Sequence, residues 1–495
     1  MAESNIGVNL IEILTTGMYK DARTIFREYI QNSCDAIDKA MKAGILAAGE
    51  GSIKITLDQN YICIEDNGCG IAAMDFKNTL RNIAQSNKSS NSDKGFRGIG
   101  RLCGLAYCRE LIFTSTAAGE NQANSMHFDA KKLRENFYKG LDVSVDTVIK
   151  QVTEIESKIV NADSHGFKVE LIDVEEKFLT DETTIKNYLS FVAPVPYGKD
   201  FSEFSARIHD YAANLDFQID EYNITVNGAQ IFKEYKSPFR INKNTRDEIF
   251  DLSFRDFRDG SGKLIGWAWN GLCGFKGQIS DNGDRDLRCI RLRKGNIQIG
   301  AEQPFSVELF KEAREPYYFM GEIFAADEKL IPNSQRDYFV PNTQRDGFED
   351  DLKLYFNGLW AIVRTASNVN SAKKTIKKYK DALANFKPDS ISSNSDYLET
   401  RKLNALELEA QRAVKTIGEY IDKAKSKPSD YISRVVFFLT QNKDEITLSS
   451  TPPQNLYRSQ IFIWSKYFRK SRTATTPRKT LRLKFSTRLR KTLTR

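Results

Sequence analysis

Three groups of residues in the first hundred positions have types and spacings suited to chemistry. The first is Glu28-Tyr29-Ile30-Gln31-Asn32-Ser33-Cys34-Asp35-Ala36-Ile37-Asp38-Lys39. At about 100° per residue of helix, Glu28, Asn32 and Asp35 fall within about 60° of one another, opposite Phe26, Ile30 and Ile37. A carboxylate able to act as a base then shares one face with a carboxamide; a solvated polar face of an amphipathic helix would show the same pattern. The second group is Asp66-Asn67-Gly68-Cys69-Gly70-Ile71. Period two places Asp66 on the side of Ile62 and Ile64, at the edge of an apolar layer, where a carboxylate needs a donor such as a purine amino group. Gly68 and Gly70 leave no side chain between backbone and ligand, although a simple Asn-Gly turn reads the same way.

The third group is Lys94-Gly95-Phe96-Arg97-Gly98-Ile99-Gly100-Arg101. Successive backbone N–H groups running into a helix start form an anion site, and Lys94, Arg97 and Arg101 add cations for phosphate. The dinucleotide-binding reading fails, because no strand-turn-helix unit surrounds the glycines and no partner acid is placed for it. Gly260-Ser261-Gly262-Lys263 imitates part of a Walker loop. Leu264 stands at its Ser/Thr position and Phe257 at its first glycine, so a hairpin turn between Phe254–Phe257 and Leu264–Trp269 is expected instead.

These groups need elements to position them. Residues 8–43 read as two helices, the second from about Asp21 to Ala40. Ile53, Ile55 and Leu57, the turn Asp58-Gln59-Asn60, then Ile62 and Ile64 read as a hairpin. Strands are expected near Leu111–Thr114, Phe167–Leu171, Asn223–Val226, Leu264–Trp269 and Cys289–Leu292, with a helix near Val307–Arg314. Residues 346–384 and 397–425 read as an antiparallel helical pair around a linker rich in Ser and Asn. The fold class is α+β. Expected domains are residues 1–175, a second α/β domain at 185–345, a helical region at 346–445 and a basic tail at 446–495.

The chain has 495 residues, 40% hydrophobic and 28% charged, which excludes a mostly disordered or collagen-like protein and calls for two or three domains. No run of eighteen apolar residues and no leader pattern at the start are seen, so integral membrane association is not expected and the cytoplasm is the expected location. Seven scattered cysteines and three distant histidines support neither a zinc site nor a disulfide framework. The net charge of +8 is uneven: after Glu445 there are thirteen Lys or Arg and no acid, and subtracting them leaves the body at −5. Such a tail suits nucleic acid or an anionic surface; it also fits a solvated end or a change of reading frame near the terminus.

The ordered set of an E-x-x-x-N-x-x-D-A helix, a D-x-G-x-G loop after a strand and a later G-x-x-G-x-G resembles the ATP-binding domain shared by DNA gyrase B, Hsp90, histidine kinases and MutL. Within that GHKL superfamily, Glu28–Lys39 and Ile83-Ala84-Gln85-Ser86 are most similar to Hsp90, whose bacterial form is HtpG. Leu330-Ile331-Pro332-Asn333-Ser334-Gln335-Arg336-Asp337 resembles that family's middle-domain loop, whose arginine reaches the γ-phosphate; a surface arginine after a Pro-Asn turn is the plain alternative. Gly166-Phe167 departs from the family's Gly-Thr, and Gln85 stands where the family has lysine.

The resemblance implies a Bergerat-type ATP-binding α/β sandwich, followed by a middle-like domain and a helical region. It implies ATP and Mg²⁺, with Glu28 and Arg336 catalytic and Asn32 the metal ligand. Asn32, Asp35, Asp66, Gly68, Gly70, Lys94, Gly95, Arg97, Gly98 and Gly100 are the implied nucleotide-binding residues. It further implies a homodimeric, chaperone-like ATPase acting on protein clients. The alternative is an ATP-gated clamp or defence ATPase like the MORC branch, with nucleic acid held by the basic tail.

Overall fold

Asp58-Gln59-Asn60-Tyr61 turns as its composition requires, with Asn60 in the left-handed region at φ 59°. The computed structural model describes residues 21–81, 100–138, 145–386 and 394–448. They form two compact units that divide between Val363 and Arg364.

The first unit begins with helix α1 (Thr24–Lys42), strands β1 (Ser52–Asp58) and β2 (Tyr61–Asp66), and helix α2 (Ala73–Arg81). A 3₁₀ segment, Gly100–Ala106, leads to β3 (Glu110–Thr116), β4 (Gln122–Asp129), α3 (Ala130–Tyr138) and α4 (Val145–Gln151). Then come β5 (Thr153–Ile159), β6 (Gly166–Ile172), α5 (Glu182–Val192), α6 (Ser202–Asn214), β7 (Asn223–Val226) and β8 (Ala229–Gln230). The sheet order is β5-β4-β3-β6-β2-β1-β7-β8, and every pairing is antiparallel except β1 with β7. Ile25, Phe26, Ile30 and Ile37 of α1 share one core with Ile53, Ile55, Ile62, Ile64, Leu111, Phe113 and Leu171 of the sheet. The result is a helix-on-sheet sandwich, driven by burial of one apolar stripe against one sheet face.

Asn223–Val226, read from sequence as part of the second domain, joins this first sheet. Asn227 seals the junction, accepting from the Leu57 N–H at 2.8 Å and donating to the Leu57 carbonyl at 3.1 Å, across 170 positions of chain. Period-two patterning marks a strand but not its partner, and a parallel partner this distant leaves no local signal.

A second sheet follows, built from β11 (Ile249–Arg258), β12 (Leu264–Cys273), β13 (Cys289–Lys294), β14 (Ile297–Ile299) and β15 (Met320–Ala325), after a small hairpin of β9 (Phe239–Asn242) and β10 (Thr245–Asp247). Its order is β11-β12-β15-β13-β14, with β13 and β15 parallel. Gly260–Lys263 lies in the β11–β12 turn, where the Asp259 N–H donates to the Lys263 carbonyl at 3.0 Å, as the hairpin reading requires. The helix expected over Val307–Arg314 is replaced by two 3₁₀ turns, Val307–Leu309 and Glu315–Tyr318. Lys311, Glu312, Ala313 and Arg314 are all exposed, so no buried apolar face holds a longer helix, and Pro316 opposes its extension.

Glu322, fully buried on β15, is held by two buried cations. It pairs with Arg293 of β13 and lies 3.0 Å from Lys233 Nζ, while Tyr197 and Trp269 donate to it. Burial alone would raise the Glu322 pKa; Arg293 and Lys233 overcome that and hold it below its ordinary value. Burial, reinforced by Arg293, lowers that of Lys233. Arg293 also donates to the Phe191 carbonyl at 2.8 Å, and Asn296 to the Asp220 carbonyl at 2.6 Å, which ties α5 and the segment before β7 to the second sheet.

The second unit contains the remainder of α7 (Thr343–Asn385), then α8 (Asn394–Ser426), α9 (Tyr431–Thr440) and α10 (Lys443–Ile446). Ala372 and Ile376 pack with Ala413 and Ile417, and Tyr379 with Leu403 and Ala410, the order of an antiparallel pair. No helix among the described residues is long and apolar enough to cross a membrane.

Replacing Glu322 with Gln strands two interior cations. The expected loss is about 3–5 kcal/mol in urea unfolding, partly recovered when Lys233 is also replaced by Met.

Candidate nucleotide site

Helix α1 places its polar face inside the molecule. Glu28 is 4% exposed and Asp35 3%, with Asn32 half-buried, so the solvated-face reading fails. The helix is pinned from both sides. Tyr29 donates its hydroxyl to the Arg101 carbonyl at 3.0 Å and accepts from the Gly104 N–H at 3.0 Å, which holds the 3₁₀ segment against it. Tyr222 donates to Asp38 Oδ1 at 2.7 Å from the strand side.

Gly100 consequently sits over Glu28: a Cβ built there would fall 2.3 Å from Glu28 Oε2. Glu28 Oε1 lies 3.1 Å from Arg336 Nε and 3.7 Å from Arg27 Nη2, yet among the described residues it makes no hydrogen bond of proper geometry. A carboxylate balanced by charge but short of a directional donor is suited to engaging water. Arg336, 6% exposed, adopts φ 54° in a loop where its carbonyl accepts from the Gly300 N–H at 2.8 Å. A non-glycine residue held in this region is strained by roughly 1–3 kcal/mol and persists only where its surroundings impose it.

The Asp66 loop is fastened to α1 and to the neighbouring strands. The Cys69 N–H donates to the Ala36 carbonyl at 3.2 Å, His165 Nδ1 lies 2.9 Å from the Gly68 carbonyl, and Ser115 Oγ joins the Ile71 N–H to the Gly166 carbonyl. Gly70, at φ 64°, would place a Cβ 2.0 Å from the Thr116 carbonyl oxygen, and Gly68 would place one 2.6 Å from Ala36 Cβ. Only glycine fits these close approaches.

Asp66 is 4% exposed. Burial raises its carboxyl pKa to about 6, against the opposing pull of hydrogen bonds from Ser33 and the Gly68 and Phe167 N–H groups. The Gly68 N–H lies 2.9 Å from Asp66 Oδ1. Phe167 carries no hydroxyl, and its ring packs on Phe113 with centroids 5.8 Å apart.

Glu28 and Arg336 are therefore adjacent, and Asn32, Asp35, Asp66, Gly68 and Gly70 belong to α1 and the loop bound to it. Lys94, Gly95, Arg97 and Gly98 lie outside the described residues, as does Ile83–Ser86. Arg101 is described, and burial lowers its pKa to about 10. Sequence reasoning did not single out Ser33, Ser115, Tyr29 or Arg27. Ser33 had a usable signal, being a hydroxyl beside the Phe26, Ile30 and Ile37 stripe, which packs on the strand that ends in Asp66. Ser115 and Arg27 had none, since their partners are 44 and 308 positions away.

Residues 21–166 match the family of histidine kinase-, DNA gyrase B- and HSP90-like ATPases. This segment is a GHKL ATPase domain, Hsp90-like in its motifs. The chain is 26% identical to the chaperone protein HtpG of Sulfurovum sp. (strain NBC37-1) over 216 residues, 39% of this chain and 31% of that protein. It is 29% identical to HtpG of Borrelia garinii subsp. bavariensis over 141 residues, covering 25% and 23%, and 29% identical to HtpG of Rickettsia canadensis over 133 residues, covering 23% and 21%. The chain thus spans less than a third of the length of these relatives. The GHKL sandwich, the second α/β layer and the helical C-terminal region agree with the α+β expectation.

The raised Asp66 pKa has a consequence for stability. Relative to an unfolded value near 3.8, ionised Asp66 costs the empty fold up to about 3 kcal/mol above pH 6, a cost relieved as pH falls from 6 towards 4. Asp66→Asn is expected to melt above the parent protein at pH 8 without nucleotide, with the advantage shrinking by pH 5.

Proposed function

We propose that this chain binds ATP against the polar face of α1 and hydrolyses it, and that the hydrolysis drives a dimeric, chaperone-like cycle on protein clients. The observation that carries the reading is the buried Glu28 carboxylate facing Arg336, an arginine delivered by the second α/β layer to the first helix. Asp66 accepts from the adenine amino group, and Gly68 and Gly70 let its loop pack closely against Ala36 and Thr116. Asp35 contributes to the polar wall, and the stretch Lys94, Gly95, Arg97, Gly98 and Gly100 closes over the phosphates. Glu28 orients water and accepts its proton. A positioned base is worth roughly 10²–10⁴ in rate. Arg336 stabilises charge on the transferred phosphoryl group.

Mg²⁺ supplies charge neutralisation between the phosphates when bound, and Asn32 is the side chain assigned to hold it. No cluster of three or more His, Cys, Asp or Glu suited to a metal is found among the described residues.

The chaperone-like reading is preferred because the matched relatives are named chaperone protein HtpG. The nucleic-acid clamp rests on the basic tail alone, which lies outside the described residues. Suppression of client aggregation that requires ATP favours the first; salt-dependent DNA binding in its absence favours the second.

Calorimetry and phosphate-release assays test the site. Glu28→Ala is expected to bind ATP but lose at least about 100-fold in turnover. Asp66→Asn is expected to lose nucleotide binding. Arg336→Ala is expected to lower turnover while nucleotide affinity stays within a few-fold; full turnover in either the Glu28 or the Arg336 variant removes that residue from the mechanism.

A further inference from the structure

A cavity of about 740 Å³ opens in the first unit where the start of α1 meets α5 and the β13–β14 region. Arg336 lines it, but Asn32, Asp35 and Asp66 do not, so it adjoins the nucleotide site through the Glu28–Arg336 pair without being part of it. Five arginines stand on its wall: Arg23, Arg27, Arg285, Arg291 and Arg336. Arg23 is bound to Asp21 at 2.8 Å, and Arg285 faces Asp281 and Glu302 at 3.6 and 3.9 Å.

Arg27 and Arg291 are different. They are 6% and 5% exposed, and the Nε of each is buried without an acceptor among the described residues. Arg291 makes no ion pair among the described residues. It donates to Gln298 Oε1 at 2.8 Å and to the Asp286 carbonyl at 2.5 Å, and its guanidinium lies 4.3 Å from the centre of the Phe191 ring. Arg27 reaches Glu28 only at 3.7 Å and shares it with Arg336. Of the carboxylates on the wall, Asp21 is held by Arg23, Glu302 by Arg288, and Asp337 accepts from Asn333, which leaves Asp286. Buried guanidinium donors without acceptors are uncommon, and their geometry matches tetrahedral oxyanions.

We propose that this cavity is a second oxyanion site that takes inorganic orthophosphate, and that phosphate cleaved at Glu28 and Arg336 is held there by Arg27 and Arg291 before it leaves. The source of the anion rests on the hydrolysis reading above; the site itself does not. A phosphoryl group on a separate ligand has the same chemistry.

The test uses the full chain. Calorimetric titration of inorganic phosphate into nucleotide-free protein is expected to show binding that Arg291→Met weakens at least tenfold. Arg291→Lys, which keeps the charge, recovers part of it. Affinity for a non-hydrolysable ATP analogue should change less than twofold in Arg291→Met, which also shows that the variant is folded. During turnover, chemical quench against a free-phosphate sensor should show a lag in release that Arg291→Met shortens. Phosphate binding that is absent in the parent protein, or equal in parent and Arg291→Met, overturns the site even if ATP is hydrolysed. Phosphate binding that depends on Arg291 in a chain without ATPase activity upholds the site, overturns the hydrolysis reading, and makes an external phosphoryl compound its ligand.

Discussion

One carboxylate in a dry interior organises the first unit. Glu322 is fully buried, and a buried charge is tolerated only when opposite charge and donors surround it. Arg293, Lys233, Tyr197 and Trp269 meet that requirement together. Because Arg293 also grips the Phe191 carbonyl, and Asn296 both accepts from Lys233 and donates to the Asp220 carbonyl, the cluster that satisfies Glu322 joins α5 and the segment before β7 to the second sheet. β14 starts just after Asn296 and ends just before Gly300, whose N–H holds the Arg336 carbonyl. The arginine facing Glu28 is thereby connected by backbone to the strands that house Glu322.

The helix α1 presents a related electrostatic problem with a different solution. Two buried carboxylates, one on α1 and one on the loop bound to it, are incompletely compensated. Glu28 is balanced by guanidinium charge but lacks a hydrogen bond at Oε1 among the described residues, while burial raises the Asp66 carboxyl to about 6 despite its hydrogen bonds. Groups left partly unsatisfied in an otherwise well-bonded interior cost stability, and such costs concentrate at functional sites. The strained backbone of Arg336 fits the same pattern, since its conformation is imposed by the Gly300 contact and the turn from Asn333.

Much of the local architecture was legible in the chain. The α1 stripe of Phe26, Ile30 and Ile37, the β1–β2 hairpin with its Asn60 turn, and the Gly260–Lys263 hairpin follow from periodicities of 3.6 and two and from turn chemistry. The burial of Asp66 followed from its parity with Ile62 and Ile64. Other features had no local signature. The pairing of β1 with β7, the replacement of the Val307–Arg314 helix by 3₁₀ turns, and the Arg27 contact with the Gln335 carbonyl depend on segments distant in sequence.

The amino-acid order by itself determined which side chains share the polar face of α1, where the glycines of the Asp66 loop fall, and where α1 and the β1–β2 and β11–β12 hairpins form, because these are set by spacing along a few turns of backbone. Tertiary structure alone decided that this polar face is interior, that Arg336 meets Glu28, and that Arg27 and Arg291 line one cavity. Burial and long-range charge pairing are properties of packed surfaces, and no periodicity along the chain encodes which surface a given residue will meet.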